Sequence, residues 1–257
     1  MLILLASIAF LVILLLLSLN IAFSFFSYLS KPKDLQVAKN KGENLLGLRN
    51  STVMMVGAHP DDADWYVGGT LSVLHEKGNK VVVVVATSGE KGGNAGNLGR
   101  IRENEQLKAA KILGYDKVEF LRFPDGNLKA SEQLVGKIKN LIDEYEPSVV
   151  FTFDSVKEGY IYRHPDHKAS GEATLEALRG KSGVETYLFH SSSNDVIVDI
   201  TSAQDSKIKA LTAHKSQGVG GSSRYRRLFF FTGRRPAGSA LDFSSVGIRY
   251  GEMFRKL

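Results

Sequence analysis

The 257-residue sequence predicts an α/β protein built on a Rossmann-like, doubly wound and mainly parallel sheet. Three observations predict it. Short β-branched runs alternate with longer segments of helical period, one of those runs (Val81 to Val85) is five consecutive valines, and a polar stretch follows each of the first four runs. Strand–helix alternation of this kind builds a parallel sheet covered by helices. An unbroken apolar run suits a strand buried on both faces.

The first element is hydrophobic. Met1 to Ser30 contains no charged side chain, and Leu2 to about Phe26 exceeds the roughly 20 apolar residues that span a bilayer as a helix. Residues 1–30 are expected to form an N-terminal transmembrane anchor. A cleaved signal peptide fits less well, because its apolar region runs only ~7–15 residues and follows basic residues. Here no Lys or Arg precedes the run, and no small-x-small site closes it. Lys31, Lys33, Lys39 and Lys41 come just after it, so the positive-inside rule places the body of the protein on the cytoplasmic side. Residues 31–50 read as a polar linker, and 51–257 as one domain's length of chain.

Within that domain Val53–Val56 is the first strand and Val81–Val85 the second. Lys117–Leu121 is the third and Val149–Phe153 the fourth, with Pro147 marking its start. Gly69–Lys77, Arg100–Leu113 and Ser131–Tyr145 carry apolar residues at helical spacing. Leu107, Ala110, Ile112 and Leu113 are expected to face the sheet, with Gly114 as the helix stop. Beyond Asp199 the pattern predicts a helix over Ala203–His214, a mobile Gly/Ser stretch at 218–223 and a short closing element.

The absence of cysteine excludes disulfides and thiolate metal sites. The formal net charge of +6 is concentrated late: from Lys207 onward there are 11 basic and 2 acidic side chains. A solvated basic surface explains this, as does a set of arginines (Arg224, Arg226, Arg227, Arg234, Arg235) facing anionic lipid headgroups or a phosphate-bearing substrate. No nucleic-acid-binding motif accompanies the charge, so nucleic acid is not an expected partner.

In open parallel sheets, ligands sit beyond the carboxyl ends of the strands. The polar stretches there are His59-Pro60-Asp61-Asp62, Thr87-Ser88-Gly89-Glu90, Phe123-Pro124-Asp125-Gly126 and Asp154 through His167. Two of the four contain His-Pro-Asp. One such cluster alone is also a turn with a helix cap. Two at one sheet edge supply the histidine and carboxylate ligands of a catalytic metal site with three protein ligands. The first turn carries His-Pro-Asp-Asp where a dinucleotide fold needs Gly-x-Gly-x-x-Gly, which excludes that class. His75, beside Glu76 and Lys77, reads as surface, and His190 as structural. Trp65 packs in the core or stacks on a sugar ring.

The motifs in order are Ala58-His59-Pro60-Asp61-Asp62, Gly68-Gly69-Thr70, Thr87-Ser88-Gly89-Glu90, Arg102-x-x-Glu105, Phe123-Pro124-Asp125-Gly126, His164-Pro165-Asp166-His167 and His214-x-Ser216-Gln217. With them the sequence resembles the PIG-L/LmbE-like family, the N-acetylglucosaminyl-phosphatidylinositol de-N-acetylases and their bacterial sugar-deacetylase relatives. The resemblance implies zinc held by His59, Asp62 and His167, although two imidazoles and a carboxylate also suit iron(II). It implies Asp61 as the general base, with His164 and Tyr162 on the acid and oxyanion side. Asp166 would orient a ligand histidine, Arg102 would hold a phosphate or sugar hydroxyl, and His214 would line the site or interact with a helix dipole. Asp125 is either a turn residue or a pocket acid. Asp64 stands where the family commonly has Glu, which would alter specificity if it touches substrate.

The function implied is zinc-dependent removal of the acetyl group from an N-acetylglucosamine moiety, in a lipid-linked glycoconjugate at the membrane. The alternatives are a deacetylase of a soluble sugar (a chitin disaccharide or a glycosylated thiol precursor) and a non-catalytic glycolipid-binding protein. The last predicts eroded ligands, and His59, Asp61, Asp62 and His167 are all present.

Overall fold

The computed structural model describes Phe10 and residues 29–160, 163–218 and 241–257. Among the described residues no helix is long and apolar enough to cross a membrane. The apolar stretch expected to do so lies, except for Phe10 and its last two residues, outside the described ones. So do Tyr162, the Gly/Ser stretch from 219 to 223 and the five late arginines.

The expected mostly parallel sheet is present. Strands β1 (Thr52–Gly57), β2 (Lys80–Thr87), β3 (Lys117–Phe123), β4 (Val149–Phe153) and β5 (Glu185–Phe189) alternate with helices. These are α2 (Asp62–Tyr66) and α3 (Gly68–Glu76) after β1, α4 (Leu98–Leu113) after β2, α5 (Glu132–Tyr145) after β3 and α6 (Pro165–Ala177) after β4. The five strands pair in parallel in the order β3-β2-β1-β4-β5. Val81 to Val85 are all buried and face Val53 to Gly57 in register. Each fully buried valine contributes about 1.5–3 kcal/mol relative to exposure, so the valine run fixes β2 as an inner strand between β3 and β1. The order reverses between β1 and β4, and at that switch point the loops after two adjacent strands diverge and leave a crevice. His59 to Asp62 follow β1, and His164 to His167 follow β4. Topology alone therefore brings the two His-Pro-Asp clusters together.

The C-terminal part differs from expectation. Helix α7 (Gln204–Leu211) is shorter than predicted. The closing element is a nine-residue strand, β8 (Ile248–Lys256), inserted antiparallel between β5 and β6 (Val196–Asp199), with β7 (Leu241–Phe243) paired to it. From β8 the buried Glu252 accepts the N–H groups of Gly69 (3.0 Å) and Thr70 (2.8 Å), while buried Lys207 of α7 stands 2.5 Å from the same carboxylate. The Gly-Gly-Thr motif is thus a helix N-terminus capped from the far end of the chain. A side chain at Gly69 would meet Ile200 within 2.3 Å.

Residues 31–50, read from sequence as a linker, hold helix α1 (Leu35–Leu45), whose N-cap Asp34 accepts from Val37 N–H at 2.9 Å. Its Ala38 packs with Ile197, Phe243 and Ile248 in a small apolar cluster over the β6–β8 edge. Helix and strand approach so closely that a Cβ on Gly42 would lie 1.8 Å from the Ile197 carbonyl oxygen. Gly42→Ala is expected to push α1 off this edge and cost roughly 1–3 kcal/mol, as overpacking does. A thermal melt unchanged from the parent would refute that contact.

Helix α4 also corrects the sequence reading. Ala110 and Leu113 are buried as expected, but Leu107 and Ile112 are 41% and 40% exposed. The inward face carries Arg102, Glu105 and Gln106 instead. Gly114 ends the helix with φ +79°, as its glycine stop requires.

Candidate metal and catalytic site

The loop after β1 begins with a tight approach. A Cβ on Gly57 would lie 3.1 Å from the Asp62 Cβ. Asp62 opens α2 and turns its Oδ2 back to accept the N–H groups of Ala58 (2.9 Å) and His59 (2.8 Å). Burial alone would raise its carboxyl. The facing His167 and His59 imidazoles outweigh that and hold it far below the ordinary carboxylate range.

His167 lies one turn into α6, stacked on Phe153 with ring centroids 4.0 Å apart. Its Nε2 is 3.3 Å from His59 Nδ1 and 3.3 Å from Asp62 Oδ1, and His59 Nδ1 is 3.7 Å from Asp62 Oδ2. In a tetrahedral zinc site with bonds near 2.0–2.1 Å, neighbouring ligand atoms stand about 3.3–3.4 Å apart. The two nitrogens stand at that separation, and the Asp62 carboxylate meets them through different oxygens, Oδ1 toward His167 and Oδ2 toward His59. The opposite side of His59 fits as well. Its Nε2 faces Asp125 Oδ1 at 3.1 Å and Asp166 Oδ2 at 3.3 Å, the carboxylate support that fixes a ligand imidazole. Burial would lower the His59 pKa, but these two carboxylates and Asp62 raise it to about 10, so the pocket favours positive charge.

His164 brings a ring nitrogen within 4.8 Å of those on His59 and His167. Its Nδ1 accepts the Asp166 N–H at 3.2 Å and caps α6, and its ring is half-buried. Burial and the neighbouring imidazoles of His59 and His167 lower its pKa. His59, His164 and His167 thus form one group of side chains that could hold a metal ion, and the Asp62 carboxylate borders it.

Asp61 adopts φ +106° and ψ −22°, a conformation that costs a non-glycine residue about 1–3 kcal/mol unless its surroundings impose it. Gln106 Oε1 accepts the Asp61 N–H at 2.8 Å, and Arg102 Nη2 donates to the Pro60 carbonyl at 2.7 Å and to Asp61 Oδ2 at 3.3 Å. Burial lifts the Asp61 carboxyl from 3.8 to about 6; Arg102 opposes the rise, and repulsion from Asp62 adds to it. The side chain keeps 23% exposure, so it is reached by solvent.

Arg102, expected to hold substrate, and Asp64, Asp125 and His214, for which a substrate contact was one of two readings, are all turned toward other parts of the chain. Arg102 is buried and also donates to the Gly89 carbonyl (3.0 Å), so its guanidinium joins the loops after β1 and β2 and supports Asp61. A side chain on Gly89, at φ +64°, would collide with it. Asp125 serves the loops: it supports His59 and accepts Lys91 N–H at 2.8 Å, while Glu90 accepts Asp125 N–H at 2.8 Å. Asp64 and His214 have no exposed side-chain surface and lie 2.6 Å apart. Asp64 also accepts from Gln106 Nε2 (3.0 Å) and the Tyr115 hydroxyl (2.9 Å). Burial disfavours a charged His214, but the Asp64 carboxylate overrides it and raises the pKa. Glu105 meanwhile accepts the Ser216 N–H (2.9 Å) and hydroxyl (2.7 Å), which explains the late His-x-Ser-Gln motif.

Asp166 is buried and accepts the Gly126 and Leu128 N–H groups at 2.7 and 3.0 Å, so it holds both His59 and the loop after β3. His75 sits at the surface beside Asp116, and Trp65 is half-buried on α2. His190 ends β5 with φ +53°, and its ring is 6.3 Å from that of His167.

Gln106 and Tyr115 carry no motif signal and were not expected at the site. Gln106→Ala removes the acceptor that holds Asp61 in its unfavourable backbone conformation. A kcat loss of roughly 10–100-fold with little change in KM is expected, the size seen when a supporting residue is lost. Unchanged kcat would mean that the Asp61 conformation holds without it.

A profile of the GlcNAc-PI de-N-acetylase family, PIG-L, matches residues 54–178. A probable N-acetyl-alpha-D-glucosaminyl L-malate deacetylase 2 of Bacillus cereus is 30% identical over 186 residues, spanning 64% of this chain and 83% of that one. The chain belongs to the PIG-L family. It is an N-deacetylase, a hydrolase of an amide C–N bond. Another PIG-L relative, a probable N-acetylglucosaminyl-phosphatidylinositol de-N-acetylase of Schizosaccharomyces pombe, is 29% identical over 147 residues, covering 54% of this chain and 57% of that one. Among solved structures, the N,N'-diacetylchitobiose deacetylase of Pyrococcus horikoshii superposes with a TM-score of 0.69 at 25% identity, covering 88% of this chain and 94% of that one. The PIG-L match spans the stretch that contains His59, Asp61, Asp62, His164, Asp166 and His167.

Proposed function

We propose that the chain removes the acetyl group from an N-acetylglucosamine moiety carried by a lipid-linked glycoconjugate, of the N-acetylglucosaminyl-phosphatidylinositol type, and releases acetate. His59, Asp62 and His167 would hold a single zinc ion. When bound, such an ion polarises the amide carbonyl and lowers the pKa of water. Asp61, adjacent to one of these residues and partly exposed, takes the proton of the attacking water. The negative charge that develops on the amide oxygen falls beside the imidazole of His164, and the proton that Asp61 took from water passes through His164, in its protonated form, to the departing amine. Tyr162 is assigned to the same oxyanion side. Asp166 and Asp125 hold the His59 ring, while Arg102 and Gln106 hold Asp61.

The observation that carries this reading is the 3.3–3.7 Å convergence of His59 Nδ1, His167 Nε2 and the Asp62 carboxylate, with Asp61 next in the chain. The lipid-linked substrate is supported by the uncharged first thirty residues, read as a membrane anchor with the domain on the cytoplasmic side. Acetate release should be measured on N-acetylglucosaminyl-phosphatidylinositol in vesicles and on diacetylchitobiose and N-acetylglucosaminyl malate in solution. Turnover of the first is expected to dominate. Turnover of the water-soluble sugars alone would assign the chain to that branch of the chemistry and reject the lipid substrate.

A further inference from the structure

The end of the apolar N-terminal stretch is fastened to the domain. The Ser30 carbonyl accepts from Asn194 Nδ2 at 2.8 Å, and the same amide donates to the Ser191 carbonyl at 3.0 Å. Lys31 Nζ donates to the Asp242 carbonyl at 3.3 Å and stands 4.8 Å over the Phe243 ring. Helix α1 then packs along β6. The first residues after the stretch are therefore placed by the fold, and no free tether separates the two.

The place of fastening is specific. Asn194 lies in the loop that leaves β5 at its carboxyl end, the edge of the sheet that carries the site. That loop begins with His190, whose ring is 6.3 Å from the His167 ring. It is laced to the loop after β4: Ser192 N–H donates to the Lys157 carbonyl (2.8 Å), Gly159 N–H to the His190 carbonyl (2.7 Å), and Glu158 and Ser191 form a bridge. Asp154, which starts the loop, is bound by Arg255 (2.7 and 2.9 Å) and the Ser191 hydroxyl (2.7 Å). On its outer side this pinned loop presents Val156, 76% exposed, with exposed Lys157 and Tyr160. A single exposed valine is ordinary on a protein surface. Here it tops a hydrogen-bonded loop joined through Ser191 and Asn194 to the last residues of a thirty-residue uncharged stretch, and apolar, tyrosine and lysine side chains are those that settle at a membrane interface.

We infer that the mouth of the site faces the bilayer that holds the N-terminal stretch, with residues 155–160 as the part of the domain that meets the lipid surface. The inference rests on the reading of that stretch as membrane-embedded. It gives the site a consequence: a sugar still attached to its lipid can reach Asp61 without the lipid leaving the membrane.

The sequence contains no cysteine, so single labels can be placed cleanly on the full chain. Val156→Cys and, as a control at the opposite sheet edge before β5, Ser182→Cys would each carry an environment-sensitive NBD fluorophore. Each protein is reconstituted into phosphatidylcholine–phosphatidylglycerol vesicles with or without nitroxide-labelled phosphatidylcholine, and association is scored by flotation. The label at 156 should lose about twofold or more of its emission to the nitroxide lipid, as a group within ~5–10 Å of the headgroup–acyl boundary does, and the label at 182 should not. Floating protein with no quenching at 156, or equal quenching at both positions, overturns the orientation while leaving the membrane anchor intact. Protein that fails to float removes the anchor, and the inference with it.

Discussion

Asp61→Asn is expected to lower kcat by about 10²–10⁴-fold, the contribution of a positioned general base, while the protein retains its metal. Asparagine keeps the shape of the side chain and one oxygen for the Arg102 contact at 3.3 Å. It leaves untouched the backbone N–H that donates to Gln106 and the side chains of His59, Asp62 and His167, the proposed ligands. What it removes is the proton acceptor. The decisive measurement pairs metal content with single-turnover acetate release on the same preparation. A variant that has lost both metal and activity would make Asp61 part of the ion's support. One that keeps both would transfer the base role to another group.

How far the site could be read in advance depended on the kind of residue. His59, Asp62 and His167 were named as ligands by the resemblance, because they lie in its two His-Pro-Asp motifs; the residues alone showed that both clusters fall at carboxyl ends of strands. Asp166 was legible for the same reason, as a carboxylate inside a ligand motif. Arg102 was expected on the substrate side, and for Asp64, Asp125 and His214 that side was one of two readings. Their charges are instead satisfied by backbone groups and by one another. A charged residue in a motif reads as a contact to something outside, and only the fold reveals that its partner is another loop.

The misreading of α4 has the same origin. Periodicity assigns apolar residues to the inside, yet this helix turns Arg102, Glu105 and Gln106 inward and leaves Leu107 and Ile112 partly in water. A polar inner face is stable only when each buried group finds a partner, and the carbonyls of Pro60 and Gly89, the N–H of Asp61 and the N–H of Ser216 supply them. The packing of α1 was invisible for another reason. Its partners, such as Asp195 at 2.6 Å from Lys41, lie some 150 residues away in sequence, and a Lys-rich helix of modest apolar content looks like a linker.

The largest loss is expected on removing a ligand. His167→Ala takes away one member of the proposed ligand set while the others stay where they are, because Asp62 is tied to the Ala58 and His59 N–H groups and His59 to Asp125 and Asp166. Two remaining ligands make a weak site, so metal content should fall to background and turnover with it. Stability separates this outcome from simple misfolding. An ion that binds only the folded state stabilises it by RT ln(1 + [L]/Kd), about 2.7 kcal/mol at a hundredfold excess over Kd. Added zinc should therefore raise the melting temperature of the chelated parent chain and restore its activity, and do neither for His167→Ala. With Asp61→Asn the melting temperature should still respond to zinc while activity stays low. If zinc shifts the melt of His167→Ala as much as that of the parent, the ion sits elsewhere. The crevice at the β1–β4 switch point then cannot be where the amide is cleaved.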